Sequence, residues 1–256
     1  MKKTILKLEG ITKNYEQKTV VDHITLAINQ GEIFGLLGPN GAGKSTIINM
    51  ICSMVRPTAG EITVFGYSNK KEMSKIKQNL GLVPQDLAIH SDLKAWENIE
   101  LFAGLYGIKG KALKKAVEDA LEFVGLTEYR NGFVKTFSGG MKRRLNIACA
   151  IAHHPELMIF DEPTVAIDPQ SRNFILEKIK HMNQKGTTVI YTSHYMEEVE
   201  TLCDRIAIMD KGKIIALGTK EELIRLVSPE GADMSLEEVF LKLTGKKLRD
   251  YGEEAM

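Results

Sequence analysis

The sequence predicts an α/β fold: a parallel sheet with an antiparallel β flank, an inserted helical lobe and a short helical C-terminal extension. Three observations predict this class. An apolar run, Ile33–Leu37, leads directly into a glycine-rich loop and a segment of helical periodicity. Two later apolar runs, Leu157–Phe160 and Thr187–Thr192, each end in charged or polar residues. From about residue 93 to 152 the apolar residues recur at helical spacing instead. Short apolar runs are typical of buried strands, whereas this spacing is typical of helices.

The glycine-rich loop is the most specific feature of the chain. It reads Gly38-Pro39-Asn40-Gly41-Ala42-Gly43-Lys44-Ser45-Thr46, which matches the phosphate-binding pattern G-x-x-x-x-G-K-[ST] of a P-loop. Glycines let the backbone approach an anion closely, and the N-terminus of the following helix attracts negative charge. We expect this loop to bind a nucleotide, with Lys44 at its β- and γ-phosphates and the Ser45 hydroxyl facing Mg²⁺. The alternative, a glycine-rich loop with an incidental lysine, is disfavoured by the strand before it and the helix after it.

Short strands surround this loop in the N-terminal third of the chain. Two of them precede the first helix, and Gly10 is expected to end the first of the two. Consecutive short strands of this kind indicate an antiparallel flank beside a parallel core. Besides Ile33–Leu37, the strands expected in this third are Ile5–Leu8, Val20–Ile28, Glu61–Gly66 and Leu80–Pro84.

The domain organisation follows from the change in periodicity. Residues 1–218 are expected to form one P-loop nucleoside triphosphatase core, with a helical lobe inserted at about residues 90–153. Residues 219–256 are expected to form the C-terminal helical extension, because two amphipathic segments, Glu221–Val227 and Leu236–Leu243, occur there.

The composition excludes several classes of protein. The formal net charge is +1 over 256 residues, so no overall basic field indicates a nucleic-acid partner, and we expect none. The three cysteines are far apart and form no C-x-x-C pair, which argues against a disulfide framework or a zinc site. No apolar run approaches the roughly 18–20 residues of a membrane helix. We therefore expect a soluble chain whose membrane role, if it has one, comes through a partner.

Two carboxylates stand at the end of a predicted buried strand. Asp161 and Glu162 follow Leu157–Phe160, and ligands bind at the carboxyl ends of strands in open α/β sheets. A P-loop enzyme needs an acidic partner for its metal and a group that activates the attacking water. We expect Asp161 to bind Mg²⁺ and Glu162 to act as the general base. The alternative is a pair of helix-capping residues before Pro163.

A second candidate phosphate site lies in the helical lobe. Ser138, Gly139 and Gly140 stand at the start of a predicted helix, whose N-terminus can bind an anion. The alternative is that Ser138 is an ordinary N-cap beside a glycine turn. Because the chain has a single P-loop, a second phosphate site favours an intermolecular arrangement in which two chains close on one γ-phosphate.

The order of these motifs resembles the ATP-binding cassette (ABC) ATPases over nearly the whole chain. The order is the P-loop, Gln85 at a strand end, Ser138-Gly139-Gly140, Asp161-Glu162 and His194 at another strand end. The resemblance implies that ATP and Mg²⁺ are bound by the P-loop, with Lys44 among the catalytic residues. It also implies that Gln85 contacts Mg²⁺ and couples the site to a membrane subunit. His194 would contact the γ-phosphate, and Tyr15 would stack on adenine.

The resemblance also implies partners and a location. Two cassettes, as a homodimer or a heterodimer, would sandwich ATP head to tail, with Ser138–Gly140 completing the partner chain's site. An integral membrane permease on another chain would hold them at the cytoplasmic face of the membrane. The segment Ser235–Gly245 is similar to the ending of multidrug and daunorubicin-resistance exporters, which indicates export of a drug-like or other small molecule. The alternatives are an importer, an ion or lipid exporter, or a regulatory ABC ATPase acting on ribosomes or DNA.

Four residues depart from the commonest pattern of this family. Phe137 stands where leucine is usual, Met141 and Arg143 stand where glutamine is common, and Ala166 stands where glycine is common. They leave the P-loop and the catalytic carboxylates intact, so they bear on interface geometry rather than on chemistry. Four histidines match no motif of the family and are expected to be structural: His90, His153, His154 and His181.

Overall fold

The computed structural model describes residues 3–228 and 234–245. Within these ranges the chain forms two compact units. One comprises residues 3–77, 188–228 and 234–245, and the other comprises Gln78–Thr187. The predicted boundaries, at residue 218 and at about 90 and 153, stay predictions.

The described residues contain ten strands, nine α-helices and two short 3-10 helices, Thr127–Tyr129 and Val134–Thr136. The strands are β1 (Thr4–Tyr15), β2 (Lys18–Asn29), β3 (Ile33–Leu37), β4 (Ala59–Val64), β5 (Tyr67–Ser68), β6 (Leu80–Val83), β7 (Leu157–Asp161), β8 (Thr188–Ser193), β9 (Arg205–Asp210) and β10 (Lys213–Gly218). The helices are α1 (Lys44–Ile51), α2 (Met73–Lys77), α3 (Ala95–Leu105), α4 (Gly110–Phe123), α5 (Gly139–Ile151), α6 (Pro169–Gln184), α7 (Met196–Leu202), α8 (Lys220–Val227) and α9 (Leu236–Thr244).

In the first unit, four strands form an antiparallel sheet in the order β2-β1-β4-β5, which confirms the predicted flank. The expectation that Gly10 ends the first strand is wrong. Gly10 adopts a φ of 58°, and the pairing of β1 with β2 shifts its register between Leu8 and Ile11. Gly10 therefore lies in a β-bulge within the strand, and the strand continues to Tyr15.

The first unit also contains the strand that leads into the P-loop. β3 is buried along its whole length and pairs in parallel with both β8 and β9, while β10 pairs antiparallel with β9. Leu37, the last residue of β3, lies opposite Ser193 of β8 and Ile208 of β9. The carboxyl ends of the three parallel strands therefore meet at one edge, which is where ligands bind in open α/β sheets.

In the second unit, β6 and β7 pair in parallel, and Val83 lies opposite Phe160. Helices α3, α4 and α5 form the lobe that the periodicity predicts. The buried face of α4 consists of Ala116, Val117, Ala120 and Leu121, the spacing of an amphipathic helix. Because β6 and β7 are parallel, the residues that follow these two strands share one edge of the strand pair.

The helical extension is present as α8 and α9 in the first unit. Each helix begins with a capping box, Thr219 with Glu222 and Ser235 with Glu238, so its first backbone amides have side-chain acceptors. The predicted tail Gly252–Met256 lies outside the described residues. Among the described residues, no helix combines the length and the apolar character needed to cross a membrane.

Candidate functional site

The P-loop is shaped by close backbone approaches that only glycine permits. A Cβ on Gly38 would lie 2.6 Å from the carbonyl oxygen of Met209, and a Cβ on Gly43 would lie 2.8 Å from that of Val20. Gly43 also adopts a φ of 105°, which L side chains rarely adopt. The loop thus passes tightly between β2 and β9, and its glycines are required by this packing.

Lys44 places a positive charge inside this loop. It is the first residue of α1 and is buried, and its Nζ donates hydrogen bonds to the carbonyl oxygens of Gly38, at 2.7 Å, and Pro39, at 3.2 Å. The N-cap residue, Gly43, has no side chain to accept from the first helical amides. Ser45 and Thr46 follow in the first turn. The ammonium group and the helix N-terminus together form a site that attracts an anion.

His194 lies at the same strand edge as the P-loop, because it directly follows Ser193, the residue opposite Leu37. Its turn is fixed by a network that sequence reasoning missed. The buried Glu198 carboxylate accepts hydrogen bonds from the Tyr191 hydroxyl at 2.7 Å and the Ser193 hydroxyl at 2.9 Å. Ser193 Oγ in turn accepts from the backbone N–H of Tyr195 at 2.9 Å. The sequence signal that could have indicated this network is a glutamate, Glu198, five residues after the strand-end Ser193.

Tyr15 ends β1 and exposes 46% of its surface. Lys13 Nζ lies 4.8 Å from the centre of its ring. The strand that pairs with it, β2, carries the Val20 carbonyl that contacts the P-loop at Gly43. The first unit therefore brings together the P-loop and His194, and it places an exposed aromatic ring on the hairpin that packs against the loop.

In the second unit, Gln85 and the two carboxylates lie at one edge of the β6–β7 pair. Asp161 ends β7, Glu162 follows it, and both are buried, whereas Gln85 is exposed. Glu162 has a φ of 48°. The alternative of a capping pair is wrong, because the next helix, α6, begins only at Pro169 and has Asp168 as its N-cap.

Ser138 fulfils the ordinary capping role at the N-terminus of α5, where its Oγ accepts from the backbone N–H of Met141 at 3.2 Å. The capping role of Ser138 is compatible with anion binding at the same helix N-terminus. Ser138 and Gly139 are exposed, so the N-terminus of α5 is accessible. Gly140 is buried, and a Cβ there would collide with the Ser171 side chain at the start of α6. The second glycine is thus required by helix packing.

Comparison with known proteins identifies the family. A model of the ABC transporter family matches residues 21–165, more than half of the 256-residue chain. The chain belongs to this family. As such it is an ATP-binding subunit with an ABC-type ATPase fold.

This ABC subunit is similar in sequence to two bacterial ATP-binding proteins whose names describe a function. It is 55% identical over 219 residues to the linearmycin resistance ATP-binding protein LnrL of Bacillus subtilis (strain 168), which covers 86% of this chain and 70% of LnrL. It is 36% identical over 241 residues to the probable multidrug ABC transporter ATP-binding protein YbhF of Escherichia coli (strain K12). That match covers 94% of this chain but only 42% of YbhF, so the chain spans less than half of that relative.

A solved structure supports the same assignment. The ABC subunit superimposes on a dimeric ATP-binding cassette in a post-hydrolysis state, bound to ADP and phosphate, with a TM-score of 0.77. The sequences are 28% identical, and the match covers 84% of this chain and 98% of that chain.

The donor atoms of the ABC subunit suit Mg²⁺. Ser45, Gln85 and Asp161 offer a hydroxyl, an amide and a carboxylate oxygen, the hard ligands that Mg²⁺ prefers. Within residues 3–228 and 234–245, no group of three or more His, Cys, Asp or Glu could hold a metal by itself. Mg²⁺ needs no such group, since it usually binds through one or two carboxylates together with substrate phosphates and waters.

Two cysteines and one unassigned histidine of the ABC subunit behave as core residues. Burial raises the pKa of the Cys149 and Cys203 thiols, so neither is poised as a nucleophile. Burial lowers the pKa of His153 to about 4. Its Nε2 lies 3.2 Å from the carbonyl oxygen of Leu80, and its ring stacks on Tyr106 at 3.5 Å. These contacts agree with the structural role expected for His153.

Proposed function

We propose that this ABC subunit hydrolyses ATP to energise a membrane exporter whose permease is a separate chain. The observation that carries the ATPase part is the P-loop, in which a buried Lys44 ammonium and an uncapped helix N-terminus converge on the end of β3. The names of two relatives, a linearmycin resistance ATP-binding protein and a probable multidrug transporter ATP-binding protein, support export of a drug-like or other small molecule.

ATP binding is assigned to the first unit. The backbone amides of residues 38–46 would hold the phosphates, and Lys44 would contact the β- and γ-phosphates. Tyr15 would stack on adenine, which its exposed ring permits. His194, at the same strand edge as the loop, would contact the γ-phosphate.

Hydrolysis is assigned to the strand-end carboxylates. Glu162 would take the proton of the attacking water as general base, and its burial next to the end of β7 favours a fixed orientation. Ser45, Gln85 and Asp161 would hold Mg²⁺. The metal, when bound, neutralises charge that develops on the phosphate oxygens.

A second cassette would complete each site. The accessible N-terminus of α5 at Ser138 and Gly139 can present amides to a γ-phosphate bound by the P-loop of another chain. The similar cassette solved with ADP and phosphate is dimeric, which supports this arrangement. The two copies would be identical or would come from two different subunits.

The permease would dock on the helical lobe at the cytoplasmic face of the membrane. A cavity of about 390 Å³ opens there, lined by Ile89, His90, Ser91, Asp92, Leu93 and Leu101. Three of these lining residues are apolar, and one of them, Leu101, is 42% exposed. A concave surface that combines apolar side chains with polar ones suits an apolar segment of a partner, because exposed apolar patches rimmed by polar residues mark interaction sites.

Co-purification tests this proposal. The tagged chain would be recovered from detergent-solubilised membranes of its native host, and ATP hydrolysis would be measured on the recovered complex. We expect a multi-span membrane protein that stimulates hydrolysis. Recovery of ribosomes or nucleic acid without any membrane protein would overturn the proposal in favour of a regulatory ATPase.

A further inference from the structure

The segment that follows β6 is exposed at the surface, but buried side chains form hydrogen bonds with its backbone. Residues 85–88 are all exposed, whereas three buried polar side chains hold the backbone around them. Asn146 Oδ1 accepts from the backbone N–H of Ala88 at 3.3 Å. Asn98 bonds both backbone groups of His90, accepting from its N–H at 2.7 Å and donating to its carbonyl at 3.1 Å.

Arg143 makes the strongest of these attachments. Its Nη1 donates to the carbonyl oxygen of Pro84 at 2.9 Å, and its Nη2 donates to that of Gln85 at 2.7 Å. Both are charge-assisted hydrogen bonds, and they go to two successive carbonyl groups. The planar guanidinium of arginine can bridge such a pair rigidly, whereas the compact ammonium of lysine would hold it less rigidly. Burial lowers the pKa of Arg143, an effect that the nearby Asp86 charge opposes, and an arginine remains protonated in proteins.

Arg143 links the backbone of Gln85 to the helix that carries the Ser138 motif. It lies on α5, five residues after Ser138, so the helix that begins with the exposed Ser-Gly-Gly motif also holds the backbone of Gln85. At the other end of the segment, Asn98 on α3 holds His90, which lines the proposed permease cavity. One short segment therefore connects the cavity, Gln85 and α5 through backbone contacts.

We infer that Arg143 is a positioning residue that fixes the backbone carrying the Gln85 side chain, and so prepares that side chain for its part in ATP hydrolysis. The inference rests on the proposed function, in which Gln85 is a ligand of Mg²⁺. A ligand on an exposed segment reaches its metal only when its backbone is held, and removing the partner that orients a metal ligand typically lowers metal affinity or activity about 10–100-fold.

Three variants of the full chain test this inference. Arg143→Met keeps an unbranched apolar stem of the kind that arginine has but removes both donor nitrogens. Arg143→Lys keeps the charge but replaces the two donor nitrogens of the guanidinium by a single ammonium nitrogen. The matched control is Arg144→Met, which removes a guanidinium from the next position of the same helix, where Arg144 packs against Phe174 and bonds Val124 rather than Gln85.

Two measurements separate positioning from mere stability. Amide hydrogen exchange at residues 85–90 reports the hold on the segment without any nucleotide. The Mg²⁺ concentration that gives half-maximal hydrolysis at saturating ATP reports the consequence. We expect Arg143→Met to speed exchange there and to raise the Mg²⁺ requirement about tenfold. Arg143→Lys should be intermediate, and Arg144→Met should leave both quantities unchanged.

Unchanged exchange in Arg143→Met would overturn the inference, and so would faster exchange with an unchanged Mg²⁺ requirement. These failures differ from failure of the proposed function, in which the wild-type chain, alone or with its co-purified permease, would hydrolyse no ATP. In that case the role of Arg143 in hydrolysis fails together with it.

Discussion

At the scale of single residues, backbone strain accompanies the candidate chemistry. Glu162 and Ala166, both in the turn between β7 and α6, have φ values of 48° and 58°. Non-glycine residues in this region cost on the order of 1 kcal/mol or more and persist where their surroundings fix them. At Glu162 the strain coincides with the proposed general base, whereas Ala166 is exposed and has no proposed chemical role.

The role of Glu162 is tested by Glu162→Gln. The amide is isosteric with the carboxylate but cannot accept the proton of water, so ATP turnover should fall about 10²–10⁴-fold. ATP binding should persist, and the dimer should accumulate in the presence of ATP. Steady-state kinetics and size-exclusion chromatography measure these effects. Glu156→Gln, at an exposed carboxylate one residue before β7, serves as the control, and near-normal turnover in Glu162→Gln would remove the residue from this role.

The strain at Ala166 predicts a stabilising substitution. Ala166→Gly relieves the positive φ without losing a buried contact, and this gain exceeds the entropy that glycine loses on folding. Stability should rise by up to about 1 kcal/mol, which raises the melting temperature by roughly 2–4 °C. The same substitution at the exposed Ala112, in the first turn of helix α4, should instead lower stability, because glycine is a poorer helix former than alanine. A lower melting temperature for Ala166→Gly would contradict the assignment of strain.

The depressed pKa of His153 predicts a dependence of stability on pH. The unfolded chain binds a proton near pH 6.5, whereas the folded chain binds it only near pH 4. Stability contributed by neutral His153 is therefore present above pH 6.5 and is lost as the pH falls from 6.5 to 4. Urea unfolding of His153→Gln should show a weaker pH dependence in this window. His154→Gln, at the exposed neighbour whose charge is only a minor cause of the lowered pKa, should retain most of the wild-type dependence, and an unchanged dependence in His153→Gln would refute the prediction.

At the scale of elements, the sequence reveals those whose pattern is local. β3, β7 and β8 are predictable because each is an apolar run bounded by polar residues. The extent of β1 is not, because the bulge at Gly10 depends on pairing with β2 rather than on the glycine itself. The short helix α2 has too few residues to show a period.

The packing of α5 against α6 gives a prediction with an internal control. A methyl group on Gly140 meets the Ser171 side chain, whereas one on Gly139 meets nothing within 4 Å. Gly140→Ala should therefore lower stability by about 1–3 kcal/mol, as overpacking does, and Gly139→Ala should not lower it. Thermal unfolding measures both, and equal melting temperatures for the two variants would contradict the described contact.

At the scale of the whole molecule, the motifs and their order predict the family, the nucleotide and the candidate residues. The side chains that support them are less predictable. The bonds from Arg143 to Pro84 and Gln85 join residues about sixty positions apart, and the Glu198 network depends on how α7 packs beside β8. The Arg143 contacts are set by tertiary structure, so no local pattern predicts them, whereas the five-residue spacing of Ser193 and Glu198 is the one sequence signal for the second network.

The central claim is that one chain supplies the P-loop and a second chain supplies the Ser138 motif of each ATP site. It is tested most directly by mixing two inactive variants, Lys44→Ala and Ser138→Arg, and measuring ATP hydrolysis. A mixed dimer pairs the intact P-loop of one variant with the intact Ser138 motif of the other. We predict that activity returns in the mixture, corresponding to about one working site per mixed dimer. Activity that stays absent at every mixing ratio would contradict the head-to-tail arrangement.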